Sequence, residues 1–110
     1  MNIGIIGFGY WGTNLVRNFA NLKNVILKMV VDTRKERQDA LLKLCPSAAF
    51  SVSADDILND PEIDAVVIAT PVFTHFDLAL KALQNNKHVL IEKPMVSSTD
   101  QANKLIELAD

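Results

Sequence analysis

The sequence predicts an α/β domain built on a doubly wound parallel sheet, and three observations carry that prediction. Short, nearly continuous apolar runs at 2–6, 25–31, 65–69 and 88–91 read as strands buried on both faces. They alternate with segments whose apolar residues recur at helical spacing. The connections are short, and right-handed crossovers then leave little but a parallel sheet with helices on both sides.

The opening MNIGIIGFGYWG holds all four glycines of the chain, with Gly7, Gly9 and Gly12 in the spacing G-x-G-x-x-G. Such a spacing alone can be a flexible turn, so its surroundings decide. Asn2 to Ile6 precede it as a strand, and Leu15, Val16, Phe19 and Leu22 follow at helical spacing. Asp32 closes the next apolar run about twenty residues past Gly12, where an acid meets an adenosine ribose. Strand, glycine turn, helix and acid together predict a dinucleotide site in a three-layer αβα Rossmann fold with strand order 3-2-1-4-5. Glycine supplies the tight turn and the close backbone approach, and the helix start supplies N–H groups and a positive dipole end for the phosphates.

The remaining elements follow in order. Val25 to Val31 is the second strand, and Arg34 to Leu44 a helix that Pro46 ends. Ala48 to Val52 is a weak third strand. Ser53, three residues before Asp56, predicts a capped short helix reaching Leu58, broken at Asn59-Asp60-Pro61. Ala65 to Ala69 is the fourth strand, ended by Thr70-Pro71. From Phe73, the positions Phe76, Ala79, Leu80 and Leu83 predict a helix that Asn85-Asn86 stops. His88 to Ile91 is the fifth strand. Ser98 with Gln101 predicts a capping box for a last helix whose face is Ala102, Leu105, Ile106 and Ala109.

One domain is expected from 110 residues, short for a complete two-substrate enzyme, so residues 1–110 read as a fragment. The formal net charge is -2, which gives no attraction for nucleic acid or an anionic membrane. Met1 leads directly into a strand and no apolar run approaches the roughly 18 residues that span a bilayer, so a cytoplasmic protein is expected. The single cysteine, Cys45, allows no internal disulfide or cysteine metal cluster and reads as packing. No metal site is expected.

Ligands of open parallel sheets bind at the carboxyl ends of the strands, beside the point where the order reverses. Gly7, Gly9, Asp32, Thr70, Pro71, Glu92 and Lys93 lie there, with Thr33 and Ala69 adjoining. Asp32 can accept hydrogen bonds from a ribose diol and repel a 2′-phosphate, which favours NAD; as a plain turn residue it needs no ligand. Arg34 could stack on adenine or meet that phosphate, which keeps NADP as the alternative. Lys93, leaving a buried strand beside the nicotinamide, could have its pKa lowered toward proton transfer, or be a solvated strand-end lysine. His75 opens a helix near the same rim and could contact substrate or cofactor, whereas His88, at a strand start, reads as structural. Tyr10 and Trp11 either pack the turn or border the cofactor.

GFGYWG, then Asp32, then Ala69-Thr70-Pro71 with His75, then Glu92-Lys93-Pro94 resembles the glucose-fructose oxidoreductase / inositol dehydrogenase (Gfo/Idh/MocA) family, over the whole chain but only that family's N-terminal domain. The resemblance implies hydride exchange between a nicotinamide cofactor and a sugar, nucleotide-sugar or cyclitol hydroxyl. It gives Lys93 proton transfer and substrate binding, Glu92 a place by the nicotinamide ribose and Pro94 the shape of the turn. GYWGTNLVRNF looks closest to nucleotide-sugar 3-dehydrogenases, where proline is common at the position of Thr13. It also implies a C-terminal substrate domain, with a further catalytic histidine and the homo-oligomer interface, and a sixth strand, beyond this chain. Two rival functions remain at this level: a non-catalytic dinucleotide-binding sensor or scaffold, and an S-adenosylmethionine-dependent methyltransferase.

Overall fold

The structure, a computed structural model, describes residues 1–91 and 99–109. β1 (Asn2–Ile6) lies at the centre of an all-parallel sheet. It pairs with β2 (Ile26–Val31) on one side and β4 (Ala65–Ile68) on the other, with β3 (Ala49–Ser51) beyond β2 and β5 (His88–Ile91) beyond β4. The order is the expected 3-2-1-4-5. Ile3, Ile5 and Ile6 are all buried, as an apolar run requires when helices cover both faces of the sheet.

Five helices supply that cover. α1 (Tyr10–Ala20) and α2 (Arg37–Leu44) pack on one face, where Phe8, Val16, Leu41 and Cys45 join Ile3, Ile5 and Val30 in one apolar cluster. α3 (Asp55–Leu58), α4 (Val72–Gln84) and α5 (Thr99–Ala109) pack on the other, around Ile57, Leu58, Val66, Ile68, Ala79 and Leu105. Gly4 permits this second layer, since a Cβ there would meet the Ile57 side chain at 2.8 Å. α4 ends as the asparagines predict: Asn86 turns left-handed at φ 62°, and the Lys87 N–H reaches back to the Ala82 carbonyl at 3.0 Å.

Several boundaries depart from the sequence expectation, each for a local reason. α1 stops at Ala20, which leaves Leu22 outside the helix and exposed. α2 begins at Arg37, not Arg34, because Arg34 is drawn back onto Asp32 and its carbonyl closes a turn with the Arg37 N–H. Ser53 does not cap α3, whose N-cap is Ala54; Ser51 Oγ instead donates to Asp56 and accepts the Ser53 N–H. α4 starts at Val72 and turns His75, Ala79 and Ala82 inward, leaving Phe73 76% exposed. On α5, Leu105 is buried, whereas Ile106 and Ala109 are exposed, so the expected apolar face is narrower. Ser98 lies outside the described residues. β5 is an edge among them, with Leu90 exposed. No described helix is long and apolar enough to cross a membrane.

α1 packs on the turn that precedes it at Gly12, where a side chain cannot be placed. A Cβ on Gly12 would lie 2.0 Å from the Gly7 carbonyl oxygen, a backbone atom that has no room to yield. Gly9 differs, since its Cβ would meet nothing nearer than Arg34 Nη2 at 3.7 Å. Gly12→Ala is therefore expected to destabilise the chain by on the order of 3 kcal/mol, and Gly9→Ala by no more than about 0.5 kcal/mol, in urea denaturation monitored by circular dichroism.

Candidate functional site

Three strand tips meet at the carboxyl end of the sheet. Gly7 leaves β1 with φ +106°, donates its N–H to the Val31 carbonyl at 2.7 Å, and lies so near β4 that a Cβ would sit 2.6 Å from the Ala69 carbonyl oxygen. Only glycine takes this conformation in this space. The Ala69 N–H closes the other side by donating to the Ile6 carbonyl at 2.8 Å. Gly9 is then the N-cap of α1, which no side chain caps, and the Thr13 N–H and hydroxyl both donate to the Gly9 carbonyl, at 2.9 and 2.6 Å. A helix start left without a side-chain cap is suited to an anion. Tyr10 is 78% exposed at this end, and Trp11 enters the first turn of the helix.

A cleft of about 750 Å³ opens between the glycine turn, the β2 tip and the loop after β4. Gly7, Gly9, Asp32, Thr33, Arg34, Ala69, Thr70 and Pro71 line it, which brings together eight of the expected residues. Its outer wall is apolar: Val52, Phe73 and Leu78 face the same space. The sequence reading placed Phe73 in the helix stripe; its high exposure at a cleft instead marks it as contact surface.

Asp32 is 6% exposed and fully engaged. Oδ2 accepts the Phe8 N–H at 2.9 Å and Oδ1 the Arg34 N–H at 2.8 Å, while the Arg34 guanidinium forks onto both oxygens, Nε to Oδ1 and Nη2 to Oδ2, each at 3.0 Å. Burial pushes the carboxyl pKa up, but the Arg34 side chain, followed by the Arg34 and Phe8 N–H groups, outweighs it and brings the value to about 2. Asp32 is thus a tie between the glycine turn and the β2 tip as well as an acid at the cleft. Arg34 lies on that carboxylate. Behind it, Arg37 stacks over the Phe8 ring at 4.6 Å, donates from Nε to the Phe8 carbonyl at 2.9 Å and from Nη2 to Thr13 Oγ1 at 3.1 Å. No local pattern in the sequence singles out Arg37, because its partners are distant along the chain.

His75 corrects an expectation. It is 2% exposed and does not line the cleft; its Nε2 sits 2.6 Å from the Thr70 carbonyl oxygen. The first turn of α4 buries the ring beneath the loop, where it holds Thr70. Thr74 assists, with its hydroxyl donating to the Pro71 carbonyl at 2.6 Å. His88 is exposed, and its N–H ties β5 to the Asp64 carbonyl at 2.9 Å. Glu92, Lys93 and Pro94 lie outside the described residues.

The Asp32 tie sets a pH dependence. Its folded pKa, about 2, lies below the ordinary 3.8, so its stabilisation is present above about pH 4 and is lost as pH falls toward 2. Urea midpoints between pH 7 and pH 2 are expected to lose about 2 kcal/mol through this group. The Asp32→Asn chain should show that much less acid sensitivity.

Comparison with known proteins agrees with this geometry. The profile of the oxidoreductase family with an NAD-binding Rossmann fold matches residues 1–110. Inositol 2-dehydrogenase of Arthrobacter sp. (strain FB24) is 32% identical over 97% of this chain and 32% of its own length. UDP-N-acetylglucosamine 3-dehydrogenase of Acidithiobacillus ferrooxidans is 38% identical over 99% of this chain and 33% of its own. A protein of gentamicin A biosynthesis, solved in complex with NAD, superimposes with a TM-score of 0.92 at 29% identity, over 99% of this chain and 31% of its own. The chain thus spans about a third of the length of the curated relatives it matches. With the glycine turn, the β2 acid and the strand order all in place, the chain belongs to the Gfo/Idh/MocA oxidoreductase family, whose NAD-binding Rossmann domain it forms.

Proposed function

We propose that this chain is the cofactor-binding domain of a longer cytoplasmic, homo-oligomeric NAD-dependent oxidoreductase acting on a hydroxyl of a sugar, nucleotide-sugar or cyclitol. The observation that carries the cofactor half is the open face of Gly9 beside an uncapped helix start, in a cleft whose far end holds the charged Asp32. Pyrophosphate suits the N–H groups of the first turn of α1, and ribose hydroxyls suit Asp32. Val52 and Phe73 offer an apolar wall of the kind an adenine ring covers. Thr70 and Pro71, held from beneath by His75, form the floor toward the nicotinamide end. The substrate half is supported by the relatives, which are named for inositol and for UDP-N-acetylglucosamine.

When bound, the nicotinamide ring supplies the hydride acceptor or donor. The chain's own part is to fix the cofactor and, at Lys93, to exchange the proton of the substrate hydroxyl. The family resemblance gives Glu92 the nicotinamide ribose. The residues that recognise the sugar belong to the remainder of the longer protein.

Titration separates the rival functions. The chain should bind NADH, read by nicotinamide fluorescence, and not S-adenosylmethionine; binding of the latter alone would make it a methyltransferase domain. In the full-length protein, Lys93→Ala should retain NADH binding and lose about 10²-fold or more in kcat. Unchanged function in that variant would point to a sensor or scaffold.

A further inference from the structure

We infer that Arg37 is a positioning residue for the cofactor: one edge of its guanidinium fixes the two peptide units that flank Gly9, and so aims the start of α1 at the pyrophosphate. This rests on the cofactor reading above and adds to it the side chain that holds the anion site in shape. The need for such a residue comes from Gly9 itself. Nothing stands nearer than 3.7 Å to where its Cβ would be, so Gly9 restricts neither of its peptide planes, and no side chain caps the helix that it begins. A loop free to turn would have to be ordered each time an anion is bound, which weakens the binding.

Arg37 meets that need from behind the loop. Nε and Nη2 lie on one edge of its planar guanidinium and donate to two different groups, Nε to the Phe8 carbonyl at 2.9 Å and Nη2 to Thr13 Oγ1 at 3.1 Å. The Phe8 carbonyl shares a planar trans unit with the Gly9 N–H, and the two point opposite ways, so a carbonyl held by Arg37 turns that N–H away from α2. Thr13 carries the restraint to the next unit. Its hydroxyl accepts from Arg37 and donates its own proton to the Gly9 carbonyl, 2.6 Å away, where the Thr13 N–H joins it at 2.9 Å. That carbonyl in turn fixes the plane it shares with the Tyr10 N–H. The Phe8 ring, fully buried, keeps the fork in place with its centroid 4.6 Å from the guanidinium carbon. Arg34 Nη2 also approaches the Phe8 carbonyl, at the longer 3.4 Å, but its bonds at 3.0 Å go to Asp32. A lysine in place of Arg37 would keep the charge and lose the fork, because an ammonium has no two donors in fixed planar geometry.

Binding of NADH, ADP and adenosine to the chain and to Arg37→Lys, Arg37→Gln and Thr13→Val tests this, with circular dichroism to check folding. Arg37→Lys is expected to weaken NADH and ADP about tenfold, at low and at high salt alike, and to leave adenosine, which has no phosphate, within about twofold. Arg37→Gln should lose at least as much. Thr13→Val removes only the second arm and should weaken NADH and ADP about threefold. In the free chain the Gly9 amide resonance should be sharp; in Arg37→Lys it should broaden, and sharpen again when ADP is added. Unchanged NADH binding in Arg37→Lys and Thr13→Val would overturn the inference while leaving the cofactor reading intact. A loss shared equally by adenosine would do the same, since it would make Arg37 a general support of the fold. So would a loss confined to Arg37→Gln and abolished by high salt, which would be an effect of charge alone. Should either arginine variant fail to fold, Thr13→Val decides by itself. Failure of the unaltered chain to bind NADH and ADP would remove the cofactor reading, and this inference with it.

Discussion

The approach of Gly7 to the Ala69 carbonyl is the constraint on which the rest depends. β1 and β4 run side by side to their tips, and the chain must turn sharply out of β1 to start α1 on one face while α4 starts on the other. Any side chain at Gly7 would drive the two tips apart, because the atoms it meets are backbone. The same turn then needs Gly12, whose missing Cβ lets the first turn of α1 rest on the Gly7 carbonyl. Close packing on the protein side leaves Gly9 facing open space on the other, and the cleft is the result of that asymmetry.

Electrostatics completes what packing begins. The Phe8 N–H, one residue past Gly7, donates to Asp32, and the Phe8 carbonyl accepts from Arg37. Both polar groups of one loop residue are thus satisfied by side chains from the β2 tip and α2, so the glycine loop has a fixed shape without a ligand. This has a consequence for recognition. Asp32 holds the loop with Oδ2 and meets Arg34 with both oxygens, so displacing Arg34 from Oδ1 leaves the bond to the loop in place. Stability and ligand binding draw on one carboxylate but chiefly on different partners of it.

Most of the framework was legible in the sequence because it rests on local, strongly periodic signals. The four long apolar runs gave strands within a residue or two of those observed, and the short connections gave the strand order. The glycine spacing located the turn. What was not legible depends on partners remote in sequence. Arg34 reads as the start of a helix until Asp32 is seen to hold it outside. Ser53 reads as a cap, yet Ser51 on β3 takes the bond to Asp56. His75 and Phe73 sit two residues apart on one helix, and which of them faces inward is decided by where α4 meets the sheet, a quantity no local pattern contains. Arg37 becomes part of the site only through Phe8 and Thr13, both far away along the chain.

The site divides between backbone and side-chain contacts. A turn that works by lacking side chains constrains few residue identities, and its anion site is made of N–H groups that every residue but proline possesses. The architecture can therefore persist with a TM-score of 0.92 at 29% identity. Side chains matter at the β2 tip, where Asp32, Arg34 and Arg37 set the local charge, and on the cleft wall at Val52 and Phe73. Substitution there alters that charge and that wall without touching the backbone contacts of Gly7 and Gly12.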